Sequence, residues 1–236
     1  MARRPEFVIT CEHSGNRVPA RYRHLFRGFE ALLQTHRGYD AGALAMAAEL
    51  ASAFGAPLLV STVSRLVVDL NRSASHPRLY SEVTRGAPIA VRREIFERHY
   101  LPYRGKAEAD IARSVASGSR VIHIASHSFT PELDGVVRNA DVGLLYDPAR
   151  SGEVRLCGRW QACLERAAPG LVVRRNYPYR GKSDGFTAYL RSRFPGYAYV
   201  GVELEINQKH VFQGGRHWRD LRAVVIDALR LAVAGF

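Results

Sequence analysis

Residues 6–16 read EFVITCEHSGN. Phe7, Val8, Ile9 and Thr10 are aromatic or β-branched, and the run breaks into Glu12-His13-Ser14-Gly15-Asn16, which is polar and turn-forming. This is a strand that delivers ionisable side chains at its carboxyl end. Working outward, the same reading predicts strands at 57–63 (PLLVSTV), 66–70 (LVVDL), 120–126 (RVIHIAS), 142–146 (VGLLY), 171–175 (LVVRR) and 197–206 (YAYVGVELEI). Between them lie helical patterns. In 40–54 the apolar positions Leu44, Ala47, Ala48, Ala51 and Phe54 recur at helical spacing, with Asp40 placed as N-cap and Gly55 as stop. Further helices are predicted at 92–117, kinked or broken at Pro102, at 153–167 and at 217–233. Strands alternating with helices give an α/β fold with a largely parallel sheet. Residues 71–90 and 127–141 are the longest expected loops, of a length that often forms a lid or binding loop. With no repeat, low-complexity tract or linker, residues 1–236 are expected to form one domain.

Composition narrows the function classes. Hydrophobic residues make up 47% of the 236, enough for a core and against disorder. No apolar run reaches the length of a membrane span, and the start MARRPEFVITCEHSG has no long apolar stretch before a cleavage site. Three cysteines, Cys11, Cys157 and Cys163, form neither a disulfide framework nor a CxxC zinc site. Together these predict a reduced, cytoplasmic protein. The net charge is +12, and only three of the 34 basic residues are lysines. The arginines are scattered, with abundant alanine, as a codon bias towards G and C would produce. A nucleic-acid protein would gather them in a stripe with aromatics. Neither nucleic acid nor membrane is expected as a partner. The excess positive potential would also draw an anionic small substrate into a cleft.

In open α/β sheets ligands sit beyond the carboxyl ends of the strands. There the sequence places His13 with Glu12, then Asp69-Leu70-Asn71-Arg72, then His127-Ser128; Glu203 and Glu205 lie within the long late strand. Asp40 follows a turn. Two histidines with carboxylates and arginines suggest a metal site with an anion pocket, since a catalytic zinc needs only three protein ligands. Each residue also has a plain structural use. A lone strand-end histidine is usually just hydrogen-bonded, and mid-strand His123 is assigned that role. Asp40 alone would be a helix cap, and Asp69 could pair with Arg65 or Arg72. Glu203 and Glu205, two apart, face one side of a strand and repel unless something cationic lies opposite. No GxGxxG or Walker loop supports nucleotide binding. No GxSxG elbow occurs, and Ser14 and Ser128 lack a nucleophile context.

These blocks carry a resemblance. CEHSGNRVP (11–19), YDAGAL (39–44), SRLVVDLNR (64–72), IASHSFTP (124–131), VGLLYD (142–147), NYPYRGKSDGFT (176–187) and VGVELEINQ (200–208) run in order across nearly the whole chain. The chain resembles the N-formylglutamate amidohydrolase family, itself similar to zinc carboxypeptidases and aspartoacylases. The resemblance implies a single α/β domain of the phosphorylase/hydrolase-like, zinc-carboxypeptidase-like kind, with a mixed, mostly parallel central sheet flanked by helices. It implies one zinc ion per chain, or another divalent metal, with His13 and His127 as ligands. Asp40 stands where family members carry Asp or His and is the preferred third ligand. Carboxypeptidase-type relatives carry Glu three residues after the first His, where this chain has Asn16, so Glu12 is the alternative. Glu205 matches the relatives' catalytic glutamate. Arg65, Asn71 and Arg72 match the arginine and DLNR segment that hold substrate carbonyl and carboxylate, with Arg65 as oxyanion stabiliser. Ser128 and Glu203 are placed beside the substrate.

The activity so implied is hydrolysis of a small anionic N-acyl amino acid, such as N-formyl-L-glutamate, to formate and glutamate. Other expectations are an amidase for another N-acyl amino acid or peptide, a non-catalytic metal- or ligand-binding homologue, and a nucleic-acid-binding protein prompted by the charge.

Overall fold

The computed structural model describes residues 5–234 and Phe236. The expectation that the chain does not start with a leader touches Met1–Arg4, which lie outside the described residues. Strands form at Glu6–Cys11 (β1), Leu58–Val60 (β2), Val121–Phe129 (β3), Glu132–Leu133 (β4), Val136–Val137 (β5), Val142–Leu145 (β6), Val173–Arg175 (β7) and Tyr199–Asn207 (β8). Helices form at Glu30–Leu33 (α1), Ala43–Phe54 (α2), Ile89–Ile95 (α3), Leu101–Ala116 (α4), Ser151–Ala167 (α5), Phe186–Arg193 (α6), Gln208–Gln213 (α7) and Gly215–Val233 (α8). A 3-10 helix at Ala20–Phe26 precedes α1. Six strands make one sheet in the order β2-β1-β3-β8-β6-β7, and β4 pairs with β5 in a separate small hairpin. The strands β2, β1, β3 and β8 are parallel, and β6 and β7 run against them. This is the single-domain, mixed and mostly parallel α/β sheet that the family resemblance implies. No helix among the described residues is long and apolar enough to cross a membrane.

The two-residue period of a strand decides what each face carries. Ile9, Ile122, Ile124, Val202 and Leu204 point to the face covered by α2, α5 and α8, where Met46, Trp160 and Val225 complete an apolar core. On the other face Val8, Val121 and Tyr199 pack under Ile111 of α4 and Phe186 and Leu190 of α6. Towards the carboxyl ends this second face turns polar. His127 pairs in register with Glu205, and Glu205 with Gly143. β3 and β8 are buried at every position, so these ionisable groups are shut inside the molecule. A third apolar cluster, from Val18 to Tyr100, props up the segments beyond β1 and β2.

Several expectations need correction. LVVDL (66–70) is not a strand. Leu66, Val67, Val68 and Leu70 are all buried in the third cluster, so no alternating solvent face exists. Its backbone bonds close turns, with Val67 N–H donating to the Ser64 carbonyl and Asp69 N–H to that of Leu79. Of 57–63, only Leu58–Val60 ladders onto β1. Pro102 does not break its helix. A π-helical stretch, Phe96–Tyr100, comes just before it, and Leu101 N–H reaches back to the Phe96 carbonyl. The chain thereby passes a residue with no N–H of its own at the start of α4. Asp40 is not the cap of α2, which begins at Ala43 behind Gly42 in a left-handed conformation (φ 79°). β3 extends three residues further than 120–126 predicts, so His127 and Ser128 lie inside it. The expected loop 127–141 therefore holds the end of β3 and the β4–β5 hairpin. The 3-10 helix, α1, α6 and α7 were not anticipated.

Gly143 has a reason to be glycine. A Cβ there would stand 2.1 Å from the Tyr177 carbonyl oxygen, so only a bare Cα lets the 176–179 segment cross the sheet beside Glu205.

Candidate active site

His13 emerges just past the end of β1 and Asp40 is pinned to it, its N–H donating to the His13 carbonyl at 2.9 Å. Ser126 and Ser128 of β3 donate their hydroxyls to the carbonyls of Ala43 and Ala41, at 3.0 and 2.7 Å. These bonds tie the turn before α2 onto β3, next to His127. The result is convergence. Asp40 Oδ2 lies 2.9 Å from His127 Nδ1 and 3.3 Å from His13 Nδ1. The two imidazole rings are 5.1 Å apart. Each far nitrogen faces a further carboxylate: His13 Nε2 is 2.7 Å from Asp69 Oδ1, and His127 Nε2 is 3.1 Å from Glu12 Oε2, outside hydrogen-bond geometry. Arg65 spans two of these acids, donating to Asp40 Oδ1 at 3.3 Å and to Asp69 Oδ2 at 2.8 Å.

Burial and charge set the protonation. Burial by itself would raise the Asp40 carboxyl, but His13, His127 and Arg65 outweigh it and hold the group far below the usual range. Burial likewise opposes ionisation of Glu12, yet His127 brings it down to about 2. His127 would lose its proton to burial, but the carboxylates of Asp40 and Glu12 keep its affinity for a proton well above normal. Glu205 is the exception. Burial, with Asp40 and Glu203 nearby, pushes it up to about 8 against the pull of His127 and Arg65. Its Oε2 is buried with no hydrogen-bond partner among the described residues.

These residues fit a divalent metal. One ligand atom from each of His13, Asp40 and His127 lies within 4.8 Å of the others, the one such group among the described residues. Ligands about 2.0–2.1 Å from a tetrahedral zinc stand about 3.3 Å from each other. The 2.9 and 3.3 Å separations around Asp40 Oδ2 are of that size. A carboxylate on the far nitrogen orients a ligating imidazole, as Asp69 does for His13, and Glu12 stands on the same side of His127. Glu12 sits behind the His127 ring and outside the converging group, which sets it apart from Asp40.

Above this group opens a cleft of about 300 Å³. Asp40, Arg65, Arg72 and Ser128 line it, and Glu205 lies buried and does not line it. Asn71 and Glu203 do not line it either. Asn71 Oδ1 accepts the Phe186 N–H at 2.7 Å, and Glu203 Oε1 accepts the Thr187 hydroxyl at 2.6 Å, so both fasten the start of α6. The Ser128 hydroxyl is engaged, donating to Ala41 and accepting from Gln208 at 3.0 Å. Asp69, one of the carboxylates the sequence gathers at this end of the sheet and a possible partner of Arg65 or Arg72, also stands behind His13. His36, Arg138 and Tyr179 line the cleft from loops and are not among the residues the sequence singles out. For Tyr179 the available signal was its place in NYPYRGKSDGFT.

The sequence model of the N-formylglutamate amidohydrolase family matches residues 6–211. The chain belongs to this family. It is accordingly a hydrolase acting on amides, an amidohydrolase. Among solved structures, a gene product of Agrobacterium tumefaciens superposes with a TM-score of 0.83 at 27% identity, covering 98% of this chain and 91% of that one. An N-formylglutamate amidohydrolase from Ralstonia eutropha JMP134 superposes at 0.66 and 21% identity, covering 97% and 93%, and shows the shared fold. A metallo-carboxypeptidase from Burkholderia cenocepacia matches at 0.41 and 14% identity, covering 98% and 56%, a likeness too distant to bear on the site. No curated protein matches the sequence.

Proposed function

We propose that this amidohydrolase is zinc-dependent and cleaves small anionic N-acyl amino acids, N-formyl-L-glutamate foremost, to formate and glutamate. The observation that carries the reading is the convergence of His13, Asp40 and His127 beside a buried glutamate whose Oε2 has no partner. His13, Asp40 and His127 would hold the metal. When bound, it supplies Lewis-acid activation of water and of the amide carbonyl.

The chain's own residues do the rest. Glu205 accepts a proton from the attacking water as its oxygen bonds to the acyl carbon. As the C–N bond breaks, Glu205 returns that proton to the leaving amine nitrogen. Burial raises the proton affinity of this carboxyl, which suits it to hold the proton between the two transfers. Arg65, held against Asp40 and Asp69, lines the cleft and stabilises the carbonyl oxygen as negative charge develops there. Arg72 touches a carboxylate only loosely, 3.9 Å from Asp69 Oδ2, and holds the substrate's α-carboxylate.

Metal analysis tests the reading. Purified protein should carry close to one zinc per chain, and chelation should abolish hydrolysis of N-formylglutamate. Asp40→Ala should lower zinc occupancy more than Glu12→Ala does, because Glu12 only backs His127. Full activity in protein shown to be metal-free would remove the mechanism, and the reverse order of the two variants would make Glu12 the ligand.

A further inference from the structure

The cleft holds more positive charge than one α-carboxylate needs. Arg65 is committed to Asp40 and Asp69, and Arg37 is paired with Glu82. Arg78 and Arg85 are exposed at the cleft margin. Arg138 differs from all of these. It is half-buried, lines the cleft, and has no carboxylate within ion-pair distance among the described residues. Its guanidinium lies over the rings of Tyr179 and Phe129, 5.2 and 5.9 Å from their centres, and Nη1 donates to the Tyr179 hydroxyl at 3.1 Å. Its backbone is also fixed. Asn207, two residues beyond Glu205, donates its side-chain amide to the carbonyls of Arg138 and Ala140, at 3.2 and 2.9 Å.

A cation held this firmly, partly out of water and without a counter-ion, is poised for an anion from outside. The acids that line the same cleft are already engaged, Asp40 and Asp69 with His13 and Arg65, and Glu82 with Arg37. Arg72 and Arg138 also come from different parts of the fold. Arg72 ends the turns that follow Arg65, whereas Arg138 sits on the loop leading into β6. Two separately anchored arginines suit a ligand with two separated carboxylates.

We propose that Arg138 is the specificity-determining residue of the cleft, pairing with the side-chain carboxylate of an N-acyl dicarboxylic amino acid while Arg72 takes the α-carboxylate. The assignment rests on the N-acyl amino acid reading of the site. Tyr179 and Phe129 act as positioning residues that hold the guanidinium flat and directed.

N-formylglutamine is the discriminating probe, since it replaces one carboxylate by a carboxamide of the same shape. Wild-type protein should favour N-formylglutamate over N-formylglutamine in kcat/KM by about 10- to 100-fold, the range of a charge-assisted hydrogen-bonded pair. Arg138→Gln should shrink that ratio to within about threefold, mainly by raising KM for the glutamate substrate. Arg138→Lys, which keeps the charge but not the fork, should fall between. The ratio is read because a merely structural defect lowers both substrates alike. A ratio unchanged in Arg138→Gln, or no preference in the wild type, overturns the assignment. If the wild type hydrolyses neither compound, the reading of the site as an N-acyl amino acid hydrolase has failed. Calorimetric binding of the same two compounds then decides on Arg138 alone, and equal affinities for both would overturn it.

Discussion

Glu205 and Glu203 sit two residues apart on one face of β8, and their surroundings separate their roles. Glu203 Oε1 is bound by the Thr187 hydroxyl, whereas Glu205 Oε2 is buried and has no hydrogen-bond partner among the described residues. Glu205→Gln keeps shape and polarity but cannot take a proton. Turnover of N-formylglutamate should fall by at least about 100-fold, the low end for a lost acid–base group. Zinc content should be unchanged and KM should move little. Glu203→Gln should cost far less turnover. A reversal of the two would shift the proton acceptor by two residues, and full turnover in both would remove a carboxylate base from this strand. The sequence pointed to this pair through like charges at strand spacing. Spacing alone does not separate them; the family resemblance favoured Glu205, and the structural difference lies in Thr187 and in the burial around Glu205.

At the scale of the element, β3 carries two histidines with opposite fates. His127 lies between Asp40 and Glu12. His123, four residues earlier, is enclosed between the Thr10 hydroxyl at 2.8 Å and the Tyr199 hydroxyl at 2.7 Å. Burial is the main reason its imidazole is lowered to about 4. The unfolded chain protonates near 6.5. Neutral His123 thus contributes stability that is complete above pH 6.5 and is lost as pH falls from there through 4, by up to about 3 kcal/mol. His123→Gln should flatten the loss of stability between pH 7.5 and pH 4.5, measured by urea denaturation in chelator so that metal release adds nothing. Identical slopes for wild type and variant would show that His123 is not held neutral. The structural role given to His123 was legible from its mid-strand position. Its partners, 113 and 76 residues away, were not.

For the molecule as a whole, the net charge of +12 is not spread evenly where it matters. Arg37, Arg65, Arg72, Arg78, Arg85 and Arg138 all line the one cleft above the site. Such a field concentrates anions and is screened by salt over about 10 Å at 0.1 M. Raising ionic strength from 0.05 to 0.5 M should therefore lower kcat/KM for N-formylglutamate by about 3- to 10-fold, with kcat little changed. Stopped assays at constant pH would measure this. Salt-insensitive kcat/KM would mean that the arginines do not steer the substrate. Steep, salt-dependent retention of DNA would favour the nucleic-acid reading instead.

The local and periodic part of the fold is legible along the chain. The alternation of strands and helices settles the α/β class, and the runs around β1, β3 and β8 put His13, His127 and Glu205 near the carboxyl ends of strands. The ordered blocks from 11 to 208 carried the family. Tertiary structure decided which groups meet. Asp40, a helix cap by local pattern and a third ligand only by resemblance, became the meeting point of two histidines 27 and 87 residues away. Asp69 came to stand behind His13 across 56 residues. LVVDL became buried turns because its four apolar side chains all pack into the third cluster. Asn71 and Glu203 were drawn off to hold α6, and Arg138 was brought to the cleft by Tyr179 and Asn207. Spacing along a chain encodes faces of strands and helices, because their periods are local. Contacts between distant segments follow from how those faces pack, which no local period records.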